Sequence, residues 1–310
     1  MELFNIRKNE NRLFHNFNNK QFFMKKIIYI FIDFFFLFLA LIYSIFKYKK
    51  IEGTCWSQQS FEKTIILANG PSLTLDIEKI IKKRPRAEVY VLNYFAVTKY
   101  FLDIKPEYYV LTDRLYWSQH VTTEFKKDNE NIFNCLDKVD WKMNLICPES
   151  GFEWISKRLI ENNNIRILKV HSVNIEFKNE RINLFAINKN ITTPNFINGL
   201  VMVLWHAMYR KKLDIEIYGA DFSLFKEYYI DQKTNNLYSS ASHFYKNTDA
   251  QNKSTYKYPN EAKKMLHNRL YQQWAAFYQM YLLSKIAKIR KINVINFSSN
   301  SFLDCFQRPK

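Results

Sequence analysis

Glycine is scarce, with 5 residues in a chain of 310. That excludes collagen-like and glycine-rich folds and disfavours a multi-turn β architecture. Zinc-finger, helix-turn-helix and RNA-binding signatures are missing, and the basic residues form no arginine-rich block. Nucleic acid is therefore not expected as a partner, in spite of a net charge of +17. The four cysteines, Cys55, Cys135, Cys147 and Cys305, include no C-x-x-C pair and have no histidine at metal-ligand spacing. A reduced, cytosol-facing domain is the simplest expectation. Cys147 lies in the apolar run Leu145-Ile146-Cys147 and reads as a buried free thiol. Neither G-x-G-x-x-G nor a P-loop occurs.

What is present is a globular composition, with 47% hydrophobic and 24% charged residues. The length suits one large domain or two small ones and supports a full core. With nucleic acid set aside, the positive charge fits an anionic membrane surface or an anionic substrate. Ile27 to Phe46 reads IIYIFIDFFFLFLALIYSIF, with Asp33 its single charge. About 20 such residues span a bilayer core as a helix. Lys25 and Lys26 precede the run, and Lys47, Lys49 and Lys50 follow it. Tyrosines lie near both ends, as at membrane interfaces. The run is long for a signal peptide, and no A-x-A site follows it. Asp33 is costly in mid-membrane, so tilted or in-plane insertion stands beside a spanning helix. The expected organisation is a tail over 1–26, an anchor helix over 27–46, a linker over 47–62 and a catalytic domain over 63–310.

Beyond the linker, strand-like and helix-like segments alternate. The strands are Thr64–Ala68, Glu88–Leu92, Tyr108–Thr112, Asn144–Cys147, Arg166–Val170, Leu213–Tyr218 and Asn293–Phe297. Helices are expected over Leu75–Lys83, from Thr193-Pro194 to about Tyr209, and over 261–290. Residues 223–260 are polar and tyrosine-rich and read as a lid-like loop. The alternation predicts an α/β fold, a Rossmann-like, mostly parallel sheet with helices on both faces. Ligands in such sheets bind at the carboxyl ends of strands, which points to Asn69, Asn93, Asp113, Asp221 and Ser298.

Several short segments carry chemistry, each with a plainer alternative. Asn69-Gly70-Pro71-Ser72 is a strand-to-helix turn whose amides suit an anion or a base edge, and Ser72 suits the helix cap; it is also an ordinary tight turn. Asn93 can read a base or cap a strand end. Thr192-Thr193-Pro194 puts a helix start, with Thr193 as N-cap, where a phosphate would bind; capping alone explains it equally. Asp221 can hold ribose hydroxyls or orient its loop. His243, in Ser242-His243-Phe244-Tyr245, can deprotonate a hydroxyl at neutral pH, or be a plain loop histidine.

Taken in order, these segments resemble the bacterial lipooligosaccharide sialyltransferases and related polysaccharide-biosynthesis proteins. ILANGPSL resembles the opening turn of that family. LNYF at Leu92–Phe95, EIYGADFS at Glu216–Ser223, HFYKNTD at His243–Asp249 and INFSSNSFLDCF at Ile295–Phe306 resemble its later motifs. The resemblance covers roughly residues 64–306. It implies a metal-independent, inverting glycosyltransferase with a CMP-activated donor and no other cofactor. Asn69, Gly70, Pro71, Ser72, Asn93, Asp113, Thr192, Thr193, Asp221 and Ser298 would line the nucleotide site. Tyr228 and Tyr229 would help the phosphate leave, and His243 would be the base. The absence of a D-x-D at a strand end agrees with metal independence. Departures are Ala68 for a glycine, Asp113 for an asparagine, and Phe244 at the aligned place of the base. ITTPN and Ile197–Val201 (INGLV) compete for the phosphate segment. Asp113 would disfavour an anionic sialic acid, which leaves the donor sugar open.

The implied partners are a nucleotide sugar, a lipid-linked saccharide acceptor and an anionic membrane, with a homo-oligomer left open. The implied location is the bacterial inner membrane with the domain in the cytoplasm, where nucleotide sugars are made. Positive charge on both sides of the run sets no clear orientation. Two alternatives stand beside the glycosyltransferase: a nucleotide-dependent pyrophosphokinase-like enzyme, and a non-catalytic membrane assembly protein.

Overall fold

The computed structural model describes residues 27–46, 51–52, 61–239, 253–254 and 265–309. It divides into two compact units, Met1–Tyr48 with Val173–Thr193, and Lys49–Ser172 with Pro194–Lys310.

In the first unit, α1 (Ile27–Phe46) is long and apolar enough to cross a membrane, with a mean hydropathy of 2.4. A single stripe of it, Asp33, Leu37 and Ala40, is buried. Leu37 and Ala40 pack with Phe177, Ala186 and Ile191, which flank or belong to α6 (Glu180–Asn188). Asp33 is bonded rather than stranded. Its carboxylate accepts the amides of Lys178 at 3.0 Å and Asn179 at 2.7 Å, just before α6. Backbone donors at a helix start suit a carboxylate by both hydrogen bonding and dipole.

The second unit is built on an 8-stranded sheet. Its strands are β1 (Ile51–Glu52), β2 (Lys63–Leu67), β3 (Ala87–Leu92), β4 (Tyr108–Val110), β5 (Met143–Pro148), β6 (Ile165–Val170), β7 (Asp214–Tyr218) and β11 (Asn293–Asn296). The order across the sheet is β1-β6-β5-β4-β3-β2-β7-β11. Every neighbouring pair is parallel except β1 with β6. β1 lies inside the segment expected as linker, so that segment adds an antiparallel edge.

Alternating residues of the strands feed two helical layers, as expected for a sheet covered on both faces. Ile65, Leu67, Val89, Val91, Tyr109 and Leu145 face a core that includes residues of α2 (Leu73–Lys83), α3 (Tyr100–Ile104), α4 (Thr123–Leu136) and α5 (Glu149–Arg158). On the other face α7 (Gly199–Tyr209) packs on β2, β3 and β4, and against α8 (Leu266–Ile289). Within 223–260 the expected lid contains a small antiparallel sheet of β8 (Tyr228–Ile230), β9 (Leu237–Ser239) and β10 (Lys253–Ser254).

Two helix expectations are corrected. α7 starts at Gly199, not at Pro194, and its N-cap is Asn198, whose Oδ1 accepts the Val201 amide at 3.0 Å. Thr193 is instead paired with Val173 through both its amide and its hydroxyl. Ser72 does not cap α2 with its side chain, because its hydroxyl is bonded to Asp221.

Under α7 lies a buried polar cluster. His206 Nδ1 is 3.2 Å from the Tyr90 hydroxyl, and Tyr90 stacks on Tyr108. Burial lowers the His206 pKa from 6.5 to about 3, with Arg210 adding to the shift. The folded state thus takes up this proton less readily than the unfolded chain. His206 should cost the fold nothing above pH 6.5 and progressively more from there down toward pH 3. Chemical denaturation at pH 7.5 and at pH 5 should show the loss, and His206→Gln should shrink it. An unchanged pH dependence in that variant would clear His206 of the effect.

Candidate functional site

The chain leaves β2 through Ala68-Asn69-Gly70-Pro71-Ser72 and leaves β7 through Gly219-Ala220-Asp221. β2 and β7 are neighbours at the point where the strand order reverses, the place where α/β sheets open a crevice. The two turns are locked together. Gly70 donates its amide to Gly219 O at 2.8 Å, and Ala68 to Tyr218 O at 2.8 Å. Asp221 accepts the Ser72 amide at 2.9 Å and the Ser72 hydroxyl. Gly219 has φ +65, and Phe222 follows with φ 54, unusual for an aromatic residue.

The closing segment braces this junction. Ser298 Oγ accepts the Ala220 amide at 2.8 Å, and Ser301 donates to Ala220 O. Phe302 donates to Asp221 O at 2.8 Å, and Arg308 bonds the carbonyls of Ser298 and Ser301. Asp221 and Ser298 thus hold the junction of the two turns together.

Next to it, the ends of β2, β3 and β4 bring together a second set. Asn69 Nδ2 donates to Leu92 O at 2.9 Å, while its Oδ1 is buried without a hydrogen-bond partner. Asn93 has φ 55, a left-handed conformation that asparagine tolerates, and its carbonyl accepts the Tyr109 hydroxyl. Its Oδ1 is likewise buried and unpartnered. The start of α7 comes close to Asn93. A methyl group on Gly199 would lie 3.4 Å from Asn93 Nδ2 and 3.5 Å from Thr112 Oγ1. The first-turn amides of α7, beyond the one capped by Asn198, have no partner inside the helix. Two acceptors without donors, beside a helix end that favours anions, form the candidate site.

The other expected residues are placed as follows. Asp113 Oδ1 accepts the Leu115 amide at 3.1 Å and caps the turn Arg114–Tyr116. Thr192 and Thr193 belong to the first unit. Tyr228 is half-buried, and its hydroxyl lies 3.4 Å from Gln273 Nε2 on α8. Burial raises its pKa, against the opposing influence of Arg269 and Gln273. Tyr229 stacks on Tyr238 across the small sheet. His243 lies outside the described residues. Thr112 was not singled out from sequence; Asn198-Gly199 lies in Ile197–Val201, one of the two segments that competed for the phosphate, and an Asn-Gly pair at the head of an apolar run is also an N-cap signal. Among the described residues, no three His, Cys, Asp or Glu side chains cluster as a metal set. Cys135, Cys147 and Cys305 are free, and burial pushes the Cys147 thiol up to about 12.

An open depression of about 640 Å³, lined by Lys142, Phe152, Asn162 and Arg166 among others, sits at the opposite, amino-terminal edge of β5 and β6. It carries none of the residues above, and α/β sheets place ligands at the other end.

No protein-family model matches the chain, and no curated protein matches it. Among solved structures it is similar to that of the MAf glycosyltransferase from Magnetospirillum magneticum AMB-1. The identity is 10% and the TM-score 0.44, over 87% of this chain and 38% of that one. The chain therefore corresponds to well under half of that protein. A likeness this loose carries no argument about the reaction.

Proposed function

We propose that this chain is a membrane-associated glycosyltransferase that takes a sugar from a CMP-activated donor. The observation that carries the reading is the pair of unpartnered amide oxygens, Asn69 Oδ1 and Asn93 Oδ1, with Asn93 close to the start of α7. Orphan acceptors select a ligand that donates. The exocyclic amine of cytosine and the ribose hydroxyls do so. The helix start suits the phosphate of the same ligand.

In this reading Gly70, Pro71, Ser72 and Asp221 hold the turn that presents Asn69, and Ser298 holds Asp221's loop. Asp113 keeps the place in the nucleotide site that the resemblance implies. The acceptor hydroxyl attacks the anomeric carbon from the face opposite the phosphate. The bond from that carbon to the phosphate oxygen breaks, and CMP leaves with both electrons. His243 takes the acceptor proton. Tyr228 and Tyr229 donate hydrogen bonds to the departing phosphate, whose developing charge they stabilise. No metal is required. The sugar is sialic acid or a relative, and the acceptor a lipid-linked saccharide at the cytoplasmic face of the inner membrane.

Thermal denaturation of the full chain in detergent tests this against CMP, CDP, UDP, GDP and ATP, with and without magnesium. CMP alone should raise the melting temperature, since saturation at a hundredfold excess over Kd is worth about 2.7 kcal/mol. Asn93→Gly keeps the backbone freedom at that position and removes the amide. It should weaken CMP about tenfold or more, the value of one hydrogen bond to a buried group. A magnesium-dependent response to ATP or UDP, with none to CMP, would sink the reading, and ATP alone among them would favour a pyrophosphokinase-like enzyme. A CMP response untouched by Asn93→Gly would move the nucleotide elsewhere.

A further inference from the structure

We infer that α1 lies in the plane of an anionic membrane surface rather than across the bilayer, with Asp33, Leu37 and Ala40 turned toward the α6 segment. This stands on the first unit alone and is independent of the reaction proposed above.

The helix is apolar nearly all round. Phe31, Phe34, Phe35, Phe38, Ile45 and Phe46 are between 57% and 81% exposed, a face that water does not tolerate and lipid does. The buried stripe at Asp33, Leu37 and Ala40 recurs at helical spacing and meets the segment around α6. Asp33 to Ala40 spans about 10 Å of helix at 1.5 Å per residue. That stretch is the middle of α1, with comparable lengths on either side. If α1 crossed a bilayer core of about 30 Å, the docked α6 segment would sit at mid-depth.

The α6 segment does not belong there. Lys178, Glu180, Arg181 and Lys189 are exposed on it. Each charge at the bilayer centre costs about 2.5–3.5 kcal/mol even on the mildest scale. Undocking the segment instead would strip Asp33 of both its amide donors and leave its charge in hydrocarbon. Both routes to a spanning helix are costly. Laid in the interface, α1 buries its phenylalanine face about 5–10 Å deep, and the α6 segment supplies the polar upper face that the helix itself lacks. Lys25, Lys26, Lys47, Lys49 and Lys50 flank the helix in sequence. Each basic residue near an anionic surface adds about 1 kcal/mol.

Depth measurement decides between the arrangements. A small fluorescent amino acid is incorporated singly at Phe31, Phe38 or Ile45 of the full chain. The protein is then bound to vesicles of phosphatidylcholine and phosphatidylglycerol. Nitroxide lipids labelled near the headgroup or near the acyl terminus report the depth of each probe. An in-plane helix gives the same shallow depth at all three positions. A probe at Phe38 near the midplane, with the two others shallow, would show a spanning helix and overturn the inference. So would failure to bind vesicles, or a soluble dimer in which the same probes are shielded without lipid.

Discussion

Arg210→Ala lowers the melting temperature of the chain by on the order of 10 °C, the largest effect expected of any single truncation on the α7 side of the sheet. The cause is Glu88, on β3, which is 0% exposed. Arg210 Nη1 lies 3.0 Å from Glu88 Oε1 and 3.1 Å from the Tyr90 hydroxyl, and its guanidinium sits 4.6 Å from the Tyr108 ring centre. Lys212 Nζ is 3.1 Å from Glu88 Oε2, close enough for an ion pair but outside hydrogen-bonding geometry. Removing Arg210 leaves a buried carboxylate with one flexible lysine for company. Breaking a buried pair from one side costs about 3–5 kcal/mol, most of it the penalty of the abandoned charge. The double variant Glu88→Leu with Arg210→Leu should recover most of the loss, because no buried charge remains. Calorimetric melting of the wild type, the single and the double variant checks this. A single variant as stable as the wild type would mean that Lys212 alone satisfies Glu88.

That cluster also shows where reading the chain stops. β2, β3, β5, β6, β7 and β11 were legible within a residue or two. Each is an apolar, β-branched run closed by turn residues, and such patterns are local. Asn69 and Asn93 were legible as candidates because they follow those runs at carboxyl ends. The partners were not. Asp33 looked like a charge stranded in lipid, while its donors are 145 and 146 positions away. Thr193 read as a helix cap beside Pro194, but its hydroxyl is taken by Val173, and a cap further on at Asn198 starts the helix. Ser72 read as a cap for α2 and is instead held by Asp221 across 149 positions. β1 and the strands of the small sheet are too short for alternation to register. In each case a short-range preference lost to a long-range partner.

Gly70→Ala should cost about 3 kcal/mol, the upper part of the usual range for overpacking, and lower the melting temperature by roughly 6–12 °C. A methyl group at position 70 would lie 2.4 Å from Gly219 O, 2.6 Å from Asp221 Cγ and 2.7 Å from Asp221 Oδ1. None of these can retreat. Gly219 is committed to φ +65, and the space beside it is closed by Ala68 O. Asp221 is fixed by the Ser72 amide and hydroxyl and by the Phe302 amide on its carbonyl. Ser72→Ala, which removes one hydrogen bond and adds no clash, should cost nearer 1 kcal/mol. The order of the two variants in thermal denaturation is the test. Equal melting temperatures would mean that the turn yields freely. Packing alone therefore accounts for the glycine, with no ligand invoked. It does not account for Asn69, whose amide oxygen is buried one residue earlier with nothing to accept. Asn69→Ala also removes the bond to Leu92 O, so it should cost about 1 kcal/mol of stability while weakening the nucleotide by more, whereas Gly70→Ala should lose both together. If Asn69→Ala destabilises the free protein as much as it weakens CMP, the asparagine belongs to the turn and the site loses its strongest support.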